Sequence, residues 1–227
     1  MLLARHGHVD VPDAIGRFNS EGSVYLSTQG QEQASDLAQR LRAVRIDRIC
    51  ASDMPRAAQT AEIIGEAVGL TVEIKPGLRE LNCGSLDGAV LVDLQRDHPE
   101  FAPWILGGYL QGFSTAESHF RADLTFPGGE SILGMAERVI PVFRRLCAET
   151  IGGVTLLVTH AWPIAVMCCH LLGLPASEYF RFGTPHAGLS VARVGGDGRG
   201  ILDAVNITSR WEVVAGGSLP LAARHAL

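Results

Sequence analysis

Met1-Leu2-Leu3-Ala4-Arg5-His6-Gly7-His8 opens the chain, and its reading decides the fold. The apolar run predicts a buried strand over Met1 to Ala4, which puts Arg5 and His6 at its C-terminal end. In α/β sheets that edge is where ligands bind. Arginine offers a fixed planar cation suited to phosphate or carboxylate. Histidine offers a nucleophile or acid/base usable near neutral pH, and Gly7 lets the backbone turn sharply beside a ligand. No secretory leader is expected from this run, because the basic, apolar and cleavage regions of a signal do not occur in order.

Working outward, a loop from Asp10 to Tyr25 leads to a helix carrying Ala34, Leu37, Ala38 and Leu41 at helical spacing. Ser27 or Thr28 caps it, with Gln31 three residues after Thr28 in a capping-box pattern. Ile46 to Ala51 reads as a second strand. Ser52-Asp53 then read as a cap, with Pro55 in the first turn of a helix that Gly69 ends. Leu70 to Ile74 is a third strand. A helix from Ile132 to Leu146 carries Pro141, which should kink it. Val154 to Val158 is a strongly apolar strand ending at Thr159-His160, followed by a helix apolar nearly all round and so buried. Leu189 to Val194 and Ile201 to Val205 are late strands joined by a Gly195-Gly196-Asp197-Gly198 turn. The alternation of strand and helix predicts one α/β domain over residues 1–227, a three-layer α/β/α sandwich with a largely parallel sheet.

The 227 residues are 47% hydrophobic but only 6% aromatic, a balance that suits a buried parallel sheet and excludes whole-chain disorder. A net charge of −5 with scattered basic residues argues against nucleic acid as the main ligand, while leaving room for a local cationic pocket. No apolar stretch is long enough to span a membrane. Five cysteines, with Cys168 and Cys169 adjacent, suit reduced thiols in the cytoplasm better than a disulfide framework. Cys168-Cys169-His170 matches no zinc spacing, and no metal or cofactor is expected. A homodimer is the common default for such a chain.

Three apolar strands thus end at functional groups: Arg5-His6, Ser52 to Arg56, and His160. With Leu26 to Ala34, Ala51 to Ala61, Leu78-Arg79-Glu80, Pro127-Gly128-Gly129-Glu130-Ser131 and Val158-Thr159-His160, the ordered set resembles the histidine phosphatase superfamily, the phosphoglycerate-mutase-like proteins. Within it the chain looks closer to the broad-specificity and α-ribazole-type phosphatases than to the mutases. The resemblance implies a phosphoric monoester hydrolase of the histidine acid phosphatase type, acting on a small phosphorylated metabolite. His6 would become a phosphohistidine, Arg5, Arg56 and His160 would surround the phosphoryl oxygens, and Glu80 would protonate the leaving oxygen. Glu130 and Asp87 are the competing carboxylates for that last role. Fixed cations serve this chemistry because phosphoryl transfer needs its equatorial charge positioned and neutralised. For Glu80, nearby cations favour ionisation and burial opposes it.

The chain departs from the family's pattern in three places. His8-Val9 stand where Glu-Thr is usual, Pro12 where asparagine often falls, and Ala161-Trp162 where Gly-Gly follows the second histidine. Trp162 puts a bulky ring beside the pocket, and His8, Arg17 and His186 are rim candidates for binding substrate, with ordinary surface positions as the alternative. Ser27, Gln33 and Gln59 read as cap and surface residues. Residues 89–130 read as an inserted lid whose aromatics, from Phe101 to Phe126, form a small core of their own, with Trp104 or Tyr109 able to face the pocket. A bisphosphoglycerate-dependent mutase is the alternative, as is a binding homologue that kept the pocket without the chemistry. Mutases typically carry an Arg-Tyr-Tyr-Gly stretch after the acid glutamate, where this chain has Leu81-Asn82-Cys83-Gly84.

Overall fold

The computed structural model describes residues 1–10, 24–90, 93, 96–101 and 121–208. They form a six-stranded sheet from β1 (Leu2–Arg5), β2 (Arg48–Ala51), β3 (Val72–Ile74), β4 (Thr155–Thr159), β5 (Leu189–Val194) and β6 (Gly200–Ile207), in the order β3-β2-β4-β1-β5-β6. The first four run parallel, and the β5–β6 hairpin adds to β1 antiparallel. Helices α1 (Thr28–Leu41) and α2 (Pro55–Val68) cover one face, and α3 (Ile132–Glu149) and α4 (Ala161–Leu172) the other.

Strand parity explains the two cores. Successive side chains of a strand point to opposite faces. Leu2, Ala4, Ile49, Ala51, Leu156 and Val158 accordingly pack with α1 and α2, while Leu3, Cys50 and Leu157 pack with α3 and α4. A chain buried on both sheet faces must be apolar at consecutive positions, which is what the strand sequences are. The expected sandwich is what forms.

Local signals decided most helix ends. Pro55 occupies the first position of α2, and Gly69 closes it in the left-handed region at φ 75°. Two caps differ from expectation. Ser27 alone caps α1, accepting from Gly30 N–H, and Thr28 lies inside the helix, so no Thr28–Gln31 box forms. Met54, not Ser52 or Asp53, is the residue flanking α2. Helix α3 continues through Pro141 to Glu149. The third strand is shorter than expected because Leu70 N–H is taken by Gly65 in the turn that leaves α2. The β5–β6 turn is the expected hairpin, closed by Gly195 N–H donating to Arg199 O.

Phe101 and Phe126 stack with centroids 4.5 Å apart inside the α3–α4 core, so these two rings belong to the main core and not to a separate small one. Trp104, Tyr109, Phe113 and Phe120 lie outside the described residues, as does Arg17.

Candidate active site

The register of the parallel strands brings the candidate groups to one edge. Arg5 pairs with Thr159 and Ala51 with Val158, so His6, Ser52 and His160 each leave the sheet side by side. The backbone ties this edge together: His6 N–H donates to Thr159 O at 3.0 Å and Ser52 N–H to Val158 O at 3.0 Å. Arg56 joins from the first turn of α2 and His160 flanks the start of α4, so two helix N-termini face the same point. His6, Arg56, Glu80 and His160 are 3%, 5%, 7% and 0% exposed, which keeps solvent from screening their charges.

The hydrogen bonds of His6 fix its tautomer. Nδ1 lies 2.7 Å from Gly7 O, an acceptor only, so Nδ1 carries the proton. Nε2 is then a bare lone pair, and the Arg56 Nε–H donates to it at 3.2 Å. Burial, then His160, Arg5, Arg56 and His186, push the His6 pKa well below 6.5, so this lone pair persists into acid.

Arg5 is anchored through Nη1 to Thr184 O at 2.5 Å, while its buried Nε has no partner among the described residues. The His160 ring stands 5.1 Å from that of His6, with Nε2 2.9 Å from Ser52 Oγ and a buried Nδ1 likewise unpartnered. Buried polar atoms are nearly always paired. This edge thus presents two buried polar atoms without a protein partner among the described residues.

Glu80 answers the question its sequence context left open. Its carboxylate accepts from Leu81 N–H at 3.0 Å and Ala161 N–H at 3.1 Å, yet burial outweighs these bonds and the neighbouring arginines, and its pKa is raised. Of the competing carboxylates, Glu130 is engaged elsewhere. It accepts from Asn82 N–H at 2.9 Å and pairs with Arg138 at 2.5 Å, and Arg138 also donates to the carbonyls of Gly77, Arg79 and Glu80. Gly84 and Gly129 make this lock feasible, since a Cβ on either would meet backbone at 2.1 and 2.3 Å. Glu130→Ala should leave the half-buried Arg138 charge uncompensated and cost roughly 1–3 kcal/mol in a denaturant titration; an unchanged midpoint would show that the pair holds nothing.

The rim candidates fall in different places. His186 sits 5.5 Å from the His6 ring and 5.4 Å from that of His8, with its pKa depressed to about 2, first by burial and then by Arg5, His8 and Arg56. The next residue, Ala187, adopts φ +52° while donating to His6 O. A non-glycine residue held there is strained, and such strain clusters at functional sites. The His8 Nδ1 is 2.8 Å from Ser27 Oγ. The Trp162 indole packs against the α3–α4 core, while its backbone N–H is a further donor that favours the Glu80 carboxylate.

The sequence reading missed several supports. Gln33 and Gln59 are not simple surface residues, because their carboxamides accept from His8 N–H at 2.8 Å and Leu26 N–H at 2.9 Å. Thr60 Oγ1 accepts from Gly7 N–H at 3.1 Å. Gly7 crosses α1 so closely that a Cβ would stand 2.4 Å from Gly30 O. Ser52, read as a cap, touches His160. Polar residues at a strand end beside a helix start are the only sequence signal that pointed to it.

Three histidines with depressed pKa values, His6 and His160 buried and His186 half-buried, have a stability consequence. Their folded pKa values lie below the unfolded 6.5, so the unfolded chain binds more protons as pH falls through 6.5. Their contribution is fully present above that value and is lost below it, at about 1.4 kcal/mol per pH unit for each group. Glu80, with a raised pKa, works in the opposite direction above 4.5. The urea midpoint should therefore fall from pH 7 to pH 5, and His186→Asn should flatten that slope; a pH-independent midpoint would contradict the burial of neutral imidazoles.

Comparison with known proteins agrees with this architecture. The family description "Histidine phosphatase superfamily (branch 1)" matches residues 1–208. A protein of Erwinia tasmaniensis named "Probable phosphoglycerate mutase GpmB" is 30% identical over 177 residues, covering 78% of this chain and 76% of its own. Phosphoserine phosphatase 1 of Hydrogenobacter thermophilus is 28% identical over 209 residues, covering 92% of each. Among solved structures, the mycobacterial glucosyl-3-phosphoglycerate phosphatase superposes with a TM-score of 0.77 at 26% identity, over 92% of this chain and 98% of that one. The structures of alpha-ribazole phosphatases share the fold as well. With the match running from the first strand through the last, the chain belongs to branch 1 of the histidine phosphatase superfamily.

Proposed function

We propose that the protein is a phosphomonoesterase that hydrolyses a small organic phosphate through a covalent phosphohistidine on His6. The observation that carries this reading is the bare Nε2 lone pair of His6, held between Arg56 and His160. Nε2 attacks phosphorus in line with the ester oxygen, and the Nε2–P bond forms as the P–O bond breaks. Arg56 gives up its bond to Nε2 and turns to the phosphoryl oxygens with Arg5 and His160. Preorganised donors of this kind are worth roughly 10²–10³-fold each. Glu80, whose pKa burial raises, delivers its proton to the leaving oxygen. Its carboxylate then takes a proton from water as that water attacks phosphorus, releasing phosphate and restoring the lone pair.

Residues 89–130 are placed as a lid insertion by the same reading. Support comes from the stack of Phe101 on Phe126, which ties the segment to the α3–α4 core on both sides of residues 102–120. The free, buried thiols of Cys50, Cys83, Cys147, Cys168 and Cys169 support a reducing, cytoplasmic location. No helix of the described residues is long and apolar enough to cross a membrane.

A bisphosphoglycerate-dependent mutase is the second reading, favoured by the name of the Erwinia relative. Product analysis separates the two. Across sugar phosphates, phosphoglycerates, nucleotides and ribazole phosphate, the hydrolase releases inorganic phosphate, whereas isomerised phosphoglycerate without phosphate release would establish the mutase.

A further inference from the structure

We infer that Ser52 is a positioning residue that sets the tautomer of His160, donating its hydroxyl proton to Nε2 so that Nδ1–H is left free for a phosphoryl oxygen. The inference rests on the phosphoryl-transfer reading for its purpose and on hydrogen-bond accounting for its content. Nε2 of His160 and Oγ of Ser52 are 2.9 Å apart, and either atom could be the donor. Ser52 Oγ already accepts from Met54 N–H at 3.3 Å, and Ser52 and His160 are both 0% exposed.

If Nε2–H donated to Ser52, Oγ would accept twice and its own proton would have no acceptor. The Nδ1 lone pair would be orphaned as well, and it would repel an incoming phosphoryl oxygen. Reversing the bond satisfies every atom of the serine. It leaves one unpaired group, the Nδ1–H, and that group is a donor. Burying an unsatisfied polar group is costly, so the arrangement with one orphan prevails over the one with two. The surviving orphan is then the group an anionic ligand would pair, as for the unpartnered Nε of Arg5. A depressed His160 pKa keeps the ring neutral before ligand arrives, which makes the choice of tautomer matter.

The backbone supports this role. Ser52 is locked by its N–H to Val158 O, one strand across from the residues leading into His160. The hydroxyl therefore has a fixed origin and a fixed target, as an orienting partner needs.

Long-range proton–nitrogen NMR on histidine-labelled, ligand-free protein tests the inference, with the His160 signals assigned by their loss in His160→Gln. Wild type should show pyrrole-type Nδ1 and pyridine-type Nε2. Ser52→Ala should shift His160 toward the Nε2–H form and lower kcat/KM by roughly 10- to 100-fold, the range for loss of an orienting partner, and Ser52→Thr should restore the tautomer. A wild-type His160 protonated at Nε2 overturns the inference even if Ser52→Ala does not fold, and so does an unchanged tautomer in a folded Ser52→Ala. Because the spectrum needs no substrate, a failure of turnover in wild type would count against the phosphatase reading alone.

Discussion

His6→Ala is expected to abolish turnover of every phosphate ester the wild type hydrolyses, with kcat down by at least about 10⁴-fold, as for loss of a nucleophile elsewhere. The fold should survive. His6 makes its structural bonds through backbone N–H and O, to Thr159 and Ala187, and alanine keeps both. Its ring is neutral, so alanine removes an acceptor of Arg56 and the bond to Gly7 O while leaving the Arg5 and Arg56 cations in place. The variant should therefore bind inorganic phosphate or vanadate as well as the wild type does, or better. Turnover within tenfold of wild type in a folded His6→Ala would remove His6 from the reaction.

The second large effect is a split by leaving group in Glu80→Gln. An alkyl oxygen leaves poorly without a proton, so hydrolysis of an alkyl phosphate should fall by roughly 10²–10⁴-fold. A nitrophenyl phosphate needs no such help in the first step, and phosphorylation of His6 by it should be nearly unchanged. Water attack in the second step loses its base, so the phosphorylated enzyme should accumulate. The pH profile gives an independent check. On the proposed mechanism Glu80 acts while protonated, so the wild-type kcat/KM for an alkyl ester should fall as pH rises through a Glu80 pKa that lies above 4.5. Glutamine removes this alkaline limb. The acid limb, which reports protonation of His6, lies well below 6.5 in both forms. Equal losses in kcat/KM for alkyl and aryl esters would point to a structural role for Glu80.

Much of this site was legible because its members are each next to a strong local signal. Arg5-His6 and His160 directly follow apolar runs that can only be buried strands, and Arg56 follows a proline at a helix start. The strands' parity and the direction of β1, β2 and β4 then carry them to one edge without further information. What the chain hid are the partners chosen by tertiary structure. Ser52 looked like a cap because a short polar residue before a helix usually is one. Only the neighbouring of β2 and β4 reveals that it faces His160. Gln33 and Gln59 bond to backbone far along the chain, and helical spacing places them no more specifically than any other half-buried residue. Likewise Arg138 reaches a loop some sixty residues earlier, which periodicity cannot foresee. The raised pKa of Glu80 depended on whether burial or the arginines dominated, a balance set by three-dimensional depth.

The covalent intermediate is the centre of the account. Wild-type protein mixed with nitrophenyl phosphate, quenched within milliseconds in alkaline denaturant where a phosphoramidate survives, and digested for mass spectrometry should carry one phosphoryl group on the peptide from Met1 to Arg5-His6-Gly7. Glu80→Gln should carry more of it and His6→Ala none. A phosphoryl group found in His6→Ala, or an enzyme that turns over rapidly with no phosphorylated peptide at any quench time, would contradict the mechanism.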